Sequence, residues 1–247
     1  RDAENLKDIK KALVDRGFNN PLIADIHFNP KLAEIAARYI SKVRINPGNF
    51  YDKRAVFEHV VYTDEQYREE LHKIEELFIP FLEMLRGSNT ALRIGANQGS
   101  LSDRIMSRYG DTSTGIVESV MEFLRICKRV NFNDVVISIK SSNTRIMVYT
   151  VRLLCYKMRL EDMDYPLHLG VTEAGEGEEG RIRSAVGIGA LLADGIGDTI
   201  RVSLTEKPER EIPVAMKLIN HFRSYQDHQK ITAPLHAQTN PFEYERR

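Results

Sequence analysis

Three short β-branched runs in the sequence carry an arginine in their interior. They are Val43-Arg44-Ile45-Asn46, Leu92-Arg93-Ile94-Gly95 and Ile200-Arg201-Val202-Ser203, and Ile137-Ser138-Ile139-Lys140 is a variant with lysine. Because side chains alternate between the two faces of a strand, each cation shares a face with the small or polar residue two positions away. Buried charges of like sign are costly unless an opposite charge meets them, so the pattern predicts an anion site.

Further polar residues fall at the predicted ends of the strands. Arginine offers a planar fork that suits a phosphate, and several cations around one opening suit a ligand with two phosphoryl groups. Asp25 and Glu173 are too few to neutralise the cations. The polar residues at the predicted strand ends are Asp25, His27, Arg44, Asn46, Arg93, Asn97, Lys140, Ser142, His168, Thr172, Arg201 and Ser203.

Other interpretations of these residues stay open. A single strand arginine is often paired structurally, and Asp25 with His27 fits a hydrogen-bonded core pair as well as a ligand-facing pair. We expect the loop Gly175 to Gly180 to be a flexible solvated lid rather than a metal site, and Asn97-Gln98-Gly99-Ser100 is also typical of a helix cap. No Ser-His-Asp order, metal-ligand cluster or Walker-type loop names the reaction. These residues predict a phosphate-ester or diphosphate enzyme whose reaction is open.

The elements that position these residues alternate along the chain, which indicates a parallel sheet of α/β type. After a first helix, six predicted strands are each followed by a helix, and a (β/α)₈ TIM-type barrel would be complete with two more strands and one helix in front. An open doubly wound sheet also fits the count, but no glycine-rich turn follows the first strand. We therefore predict an N-terminally truncated TIM-type barrel with about six parallel strands. The strands are predicted at 22–27, 43–46, 91–96, 135–140, 167–172 and 199–204.

The composition limits the class of protein. The chain has 247 residues, 42% of them hydrophobic, and a formal net charge of zero, which allows one large domain and gives no overall attraction to nucleic acid or to a membrane. Cys127 and Cys155 lie in apolar, helix-like contexts and predict buried free thiols in a reducing compartment. We expect residues 1–224 to form a substrate-binding domain and residues 225–247 to be a linker or the start of an inserted domain.

Five segments at the strand ends together resemble the 4-hydroxy-3-methylbut-2-enyl diphosphate synthase family, over roughly residues 1 to 222. The stretch from Tyr51 to Leu85 and the tail after Gln226 resemble the large form found in plants and Bacteroidetes. The five segments are Ala24-Asp25-Ile26-His27-Phe28, Arg44-Ile45-Asn46-Pro47-Gly48-Asn49, Arg93-Ile94-Gly95 with Asn97 and Gly99-Ser100-Leu101, Leu169-Gly170-Val171-Thr172-Glu173-Ala174-Gly175, and Asp198-Thr199-Ile200-Arg201-Val202-Ser203-Leu204.

The resemblance implies a barrel that binds 2-C-methyl-D-erythritol 2,4-cyclodiphosphate in the non-mevalonate isoprenoid pathway. The family opens the ring of this substrate with two electrons and forms 4-hydroxy-3-methylbut-2-enyl diphosphate. The resemblance places the [4Fe-4S] cluster on three cysteines and one glutamate in a C-terminal domain outside this chain, so the chain alone is expected to be inactive. It also implies ferredoxin or flavodoxin as electron donor, and a location in the bacterial cytoplasm or, for a plant protein, the plastid.

The resemblance also implies roles for individual residues. The candidates for catalysis are Asp25, His27 and Glu173, and Gln98 stands where the family usually has histidine. A transferase of the dihydropteroate synthase type and a non-catalytic module that binds a phosphate ligand remain as alternatives. The residues expected to bind the diphosphate are Arg44, Asn46, Arg93, Asn97, Lys140, Thr172, Arg201 and Ser203.

Overall fold

The computed structural model describes residues 2–26, 29–51 and 61–223, in which helices alternate with parallel strands. Two 3₁₀ turns, Pro47–Asn49 and Pro208–Arg210, accompany the regular elements. The helices and strands are α1 (Asp2–Asp15), β1 (Ile23–Asp25), α2 (Pro30–Ala37), β2 (Lys42–Ile45), α3 (Asp64–Ser88), β3 (Ala91–Asn97), α4 (Asp103–Tyr109), α5 (Ser113–Arg129), β4 (Val135–Lys140), α6 (Thr144–Leu160), β5 (His168–Gly170), α7 (Gly177–Ala193), β6 (Thr199–Arg201) and α8 (Glu211–Arg223).

The strands pair in chain order. β1, β2, β3 and β4 form one parallel sheet, β5 and β6 form a second, and a single bridge between Ile137 and Leu167 joins the two. Within the described ranges, β1 pairs with β2 alone and β6 with β5 alone, so the sheet does not close there. The predicted α/β class with six parallel strands is confirmed.

The two faces of the sheet differ sharply in polarity. Val43, Ile45, Leu92 and Ile94 are fully buried on the face that packs against the helices. The residues between them, among them Arg44 and the other predicted cations, lie on the opposite face by the period-2 alternation of a strand. The apolar core thus lies between the sheet and the helices, and the inner face is left for polar side chains.

Two helices differ from the sequence prediction. α4 lies in a segment for which no helix was predicted, and the Ser102 hydroxyl caps it by accepting a hydrogen bond from the Ile105 N–H. α7 begins at Gly177, within the segment predicted as a lid, so the lid prediction is wrong for its last four residues. Glu178 and Glu179 lie in the first turn of α7, where carboxylates interact favourably with the helix dipole.

α3 begins at Asp64, later than the helix that the apolar spacing predicts from about Lys53 to Leu85. Thr63 caps it, and the reciprocal hydrogen bonds with Gln66 form a capping box. The helix continues past Pro80 to Ser88. The predicted helical residues 53–60 and the predicted linker at 225–247 lie outside the described residues.

Candidate anion-binding site

Arg44 is held in a fixed orientation across the inner face of the sheet. Its Nη1 donates to Asp25 Oδ1 at 2.8 Å, and its Nη2 donates to the carbonyl oxygen of Gly95 at 2.8 Å and to Asn97 Oδ1 at 3.1 Å. A Cβ at Gly95 would lie 2.3 Å from Arg44 Nε, so the absence of a side chain there gives the arginine its path. Arg44 thereby fixes Asp25 on one side and Asn97 on the other.

Arg93 lies beside Arg44 on the neighbouring strand, because the two residues are register partners. Its side chain is 9% exposed, and its Nη2 lies 3.8 Å from Asp25 Oδ2. Burial, with the nearby guanidinium groups of Arg44 and Arg201, lowers the pKa of Arg93, while Asp25 opposes this shift. Asp25 therefore stands between two arginines.

Lys140 is a buried cation at the end of β4. It is 4% exposed, and within the described ranges its ammonium group has neither a hydrogen-bond partner nor a carboxylate within salt-bridge distance. Burial, followed by the charges of Arg93, Arg201 and Arg44, lowers its pKa to about 8. An uncompensated buried charge of this kind is costly for the fold.

Arg201 approaches from the second sheet. It is the register partner of Gly170, where a Cβ would lie 3.0 Å from the Arg201 carbonyl oxygen and 3.8 Å from Lys140 Cε. The guanidinium of Arg201 is exposed and donates from Nη2 to Ser203 Oγ at 3.4 Å. The structure thus brings together Arg44, Arg93, Lys140 and Arg201, with Asp25 as the carboxylate that acts on them.

Asn46 lies at the end of β2 but its side chain holds the loops together. It is fully buried, its Nδ2 donates to Ser100 Oγ at 2.9 Å, and its Oδ1 accepts from the Gly48 N–H at 3.1 Å. These contacts connect the segment after β2 to the loop after β3, and ligand binding by Asn46 stays a prediction. Asn97 is half-buried and keeps its amide nitrogen without a partner in the part of the chain that the structure describes.

Thr172 and Glu173 follow β5 at the same end of the sheet. The Thr172 N–H donates to the Ser141 carbonyl oxygen at 3.3 Å, which ties the two loops together. Glu173 is exposed and has a φ of 52°, a left-handed conformation that is uncommon outside glycine and frequent at functional sites. His27, the remaining candidate, lies outside the described residues.

Sequence reasoning gave too little weight to several inner-face residues. Lys42 and Ser138 lie two positions before Arg44 and Lys140, so the same period-2 spacing could have identified them. His168 is half-buried, and its Nδ1 lies 2.9 Å from Thr199 Oγ1. Burial and the surrounding cations, Arg93 first among them, lower the pKa of His168 to about 3, so its imidazole is neutral at physiological pH.

Polar atoms on the inner face are left without partners in the protein. Arg93 Nε, Ser138 Oγ and His168 Nε2 are buried and make no hydrogen bond within the described ranges. Buried polar groups are normally satisfied, so three such atoms on one face of the sheet favour a bound molecule there. An anion with several oxygen atoms matches the Arg93 Nε–H and Ser138 hydroxyl donors and the excess of positive charge.

The cysteines do not fit an iron–sulfur cluster. Cys127 is fully buried, and its burial raises the thiol pKa to about 12, which opposes the thiolate form that metal ligation requires. Cys155 is half-buried, and its pKa is also raised by burial. Among the described residues no group of three or more His, Cys, Asp or Glu side chains could hold a metal ion.

Parallel strands of α/β type that carry cations near their carboxyl ends are typical of barrel domains that bind phosphate groups. A match to a known protein family narrows this class of domain. The chain belongs to the GcpE TIM-barrel domain family, whose model matches residues 1–216, and this confirms the barrel class and the family resemblance.

Similar proteins carry names that agree with this family. The chain is 62% identical over 235 residues to 4-hydroxy-3-methylbut-2-en-1-yl diphosphate synthase (flavodoxin) of Parabacteroides distasonis, with 95% of the chain and 38% of that protein covered. It is 62% identical to the protein of the same name from Phocaeicola vulgatus, with 92% of the chain and 37% of that protein covered. It is 54% identical to 4-hydroxy-3-methylbut-2-en-1-yl diphosphate synthase (ferredoxin), chloroplastic, of Arabidopsis thaliana, with 89% of the chain and 30% of that protein covered. The chain thus spans less than two fifths of the length of these relatives.

Among the described helices, none is long and apolar enough to cross a membrane.

Proposed function

We propose that this chain is the substrate-binding barrel of a 4-hydroxy-3-methylbut-2-enyl diphosphate synthase. The observation that carries the proposal is Lys140, a buried ammonium without a counter-ion in the described part of the chain, which lies among three arginines. The ligand it favours is a compact anion with two phosphoryl groups. The proposed substrate, 2-C-methyl-D-erythritol 2,4-cyclodiphosphate, has this character.

The charge of the site also suits the proposed reaction. Two electrons and two protons convert the cyclic diphosphate into 4-hydroxy-3-methylbut-2-enyl diphosphate and water. The cyclic substrate has one acidic group on each phosphorus, whereas the linear product carries a terminal phosphate with one more. Negative charge therefore grows on the diphosphate as the ring carbon–oxygen bond breaks, and Arg93, Lys140 and Arg201 would stabilise that charge.

The proposal divides the remaining roles between the arginines and the carboxylates. Both terminal nitrogens of Arg44 already donate to Asp25, Gly95 and Asn97, so it would act mainly by positioning Asp25 and Asn97. Glu173 is exposed at the same end of the sheet and is the candidate for proton transfer to the substrate. The [4Fe-4S] cluster would supply the electrons, and its ligands would lie outside this chain.

The reductant we propose is flavodoxin. The relatives at 62% identity carry flavodoxin in their names, and the relative from Arabidopsis thaliana, at 54%, carries ferredoxin. The higher identity to the first group supports flavodoxin, and the bacterial cytoplasm as the location.

Calorimetric titration of the cyclodiphosphate into the protein as its gene encodes it tests the proposal. We expect Arg93→Ala and Arg201→Ala each to weaken binding by about tenfold or more, because each removes a charge-assisted contact. Arg68→Ala is the matched control, since Arg68 is 72% exposed on α3 and belongs to a surface pair with Glu65. Unchanged affinity in both site variants, or no binding by the wild type, would overturn the proposal.

A further inference from the structure

Glu173 lies in a loop whose backbone is strained. Glu173, Gly175 and Gly177 have φ values of 52°, 103° and 55°, which lie in the range that glycine favours. For the side chain of Glu173 this conformation is unfavourable, and it persists only where the surrounding contacts determine it. The contacts that fix the loop after β5 therefore also fix the position of Glu173.

The first of these contacts come from β4 and α7. The Thr172 N–H donates to the Ser141 carbonyl oxygen at 3.3 Å, which holds the chain directly before Glu173. A Cβ at Gly180 would lie 2.5 Å from the Gly175 carbonyl oxygen, so the first turn of α7 packs directly against the loop. The backbone is thus held on both sides of Glu173, while its side chain is exposed.

Glu206, in the loop after β6, holds the far end of the same loop. Its Oε1 accepts from the Gly177 N–H at 2.9 Å and from Arg181 Nη1 at 2.5 Å, and its Oε2 accepts from Arg181 Nη2 at 3.0 Å. The N–H of the preceding residue, Thr205, donates to the Gly175 carbonyl oxygen at 3.0 Å. With three hydrogen bonds, the carboxylate of Glu206 joins the loop after β5 to the loop after β6.

The two loops that Glu206 joins follow neighbouring strands of the anion-binding site. β5 and β6 pair with Gly170 opposite Arg201. Glu173 lies three positions after the first of these partners, and Glu206 lies five positions after the second. The hydrogen bond from Arg181 lowers the pKa of Glu206 to about 2, so its carboxylate is charged over the whole physiological range. Glu206 therefore fixes the loop of Glu173 relative to the strand that carries Arg201.

We propose that Glu206 is a positioning residue that orients Glu173 for proton transfer to the bound ligand. This inference rests on the proposed function, in which Glu173 is the candidate for that transfer. A proton donor contributes at least about 100-fold to a rate, and a displacement of about 1 Å can remove that gain. Because the hydrogen bonds of Glu206 are made to the loop and to α7, its loss should lower kcat and leave ligand affinity nearly unchanged.

Steady-state kinetics and calorimetry on the complete protein as its gene encodes it test the inference. We expect Glu206→Ala to lower kcat by about tenfold or more and to change the Kd of the cyclodiphosphate by less than about twofold. Glu206→Gln keeps an acceptor for the Gly177 N–H, so its kcat should lie between those of Glu206→Ala and the wild type. Glu209→Gln is the matched control, because Glu209 is exposed in the 3₁₀ turn that follows, and its kcat should equal that of the wild type.

A double-mutant cycle with Glu173→Gln shows whether Glu206 acts through Glu173. If it does, Glu206→Ala should cost less than about twofold in kcat in the Glu173→Gln background. The same cycle with Glu206→Gln serves if the alanine variant does not fold. A tenfold loss in that background, a fall in affinity as large as the fall in kcat, or a wild-type kcat in Glu206→Ala would each overturn the inference while the proposed function stands. Failure of the wild type to bind the cyclodiphosphate would overturn both.

Discussion

Two buried cationic clusters in this protein differ in how their charge is matched. Arg104 is 1% exposed, and its two terminal nitrogens each donate to one oxygen of Glu122 at 2.7 Å. The Tyr67 hydroxyl also donates to Glu122, and the Tyr67 ring lies 4.6 Å from the Arg104 guanidinium carbon. Lys140 is buried almost as deeply, yet it lies among cations, with Asp25 as the carboxylate acting on it.

The difference distinguishes a structural cluster from the proposed binding site. The cluster of Tyr67, Arg104 and Glu122 joins α3, α4 and α5, and each oxygen of Glu122 accepts a hydrogen bond from Arg104. A buried pair of this kind is costly to break, because either partner would then be left charged in the interior. The cluster around Lys140 already contains uncompensated charge, which the fold tolerates where a ligand completes it.

The largest expected effect is on the paired cluster. We expect Arg104→Ala to lower the free energy of unfolding by about 3 to 5 kcal/mol, because it leaves the Glu122 carboxylate buried without its partner. Urea denaturation measures this value, and Arg68→Ala on the surface of α3 is the control, with an expected loss of less than about 1 kcal/mol. A similarly small loss in Arg104→Ala would show that the two clusters are not energetically different.

The second prediction concerns Lys140→Met, which keeps the length of the side chain and removes its charge. We expect the free energy of unfolding to be unchanged or higher, because an uncompensated charge leaves the interior. The affinity for the cyclodiphosphate should fall by about 100-fold, or about 2.7 kcal/mol. Urea denaturation and calorimetry check the two parts, and a loss of stability as large as that of Arg104→Ala would contradict the assignment of Lys140 to a binding site.

The smallest expected effect is a pH dependence that only the binding site should show. The pKa of Lys140 is about 8 in the folded protein, against 10.5 for an ordinary lysine. Between these values the unfolded chain holds a proton that the folded chain has lost, so the contribution of Lys140 to the free energy of unfolding rises with pH. Ligand affinity should fall over the same range, because the ammonium loses its charge.

The difference between wild type and Lys140→Met isolates this effect from other titrations. The charged groups that act on Lys140 are Arg93, Arg201, Arg44 and Asp25, and none of these side chain types normally titrates between pH 8 and 10.5. We expect the affinity of the wild type to fall by about 20-fold from pH 7.5 to 9.5 and that of Lys140→Met to stay level. Parallel pH profiles of the two proteins would show that another group is responsible.

The sequence predicted the fold class and the residues of the inner face for a simple reason. A period of two, with Arg44, Arg93 and Lys140 as markers, identifies which face of a parallel strand carries charge. The family resemblance added the expected ligand. The hydrogen bond between Asn46 and Ser100 joins residues that are 54 positions apart, and no local sequence pattern predicts it.

Local sequence patterns also do not predict where α7 begins or that Arg104 pairs with Glu122. Arg104 and Glu122 lie on different helices, and their pairing depends on how α4 packs against α5. The early start of α7 depends on Glu206, whose carboxylate accepts from the Gly177 N–H and pairs with Arg181. Such long-range partners decide which positions contact a ligand and which only support the fold.

The junction between the two sheets has a thermodynamic consequence for ligand binding. The bridge between Ile137 and Leu167 is the strand pairing that joins them, and Lys140 and Arg201 lie on opposite sides of it. An anion held by both residues would connect the sheets through its own oxygen atoms. Its binding free energy would then add to the stability of the junction, so that the two sheets unfold more cooperatively with the ligand than without it.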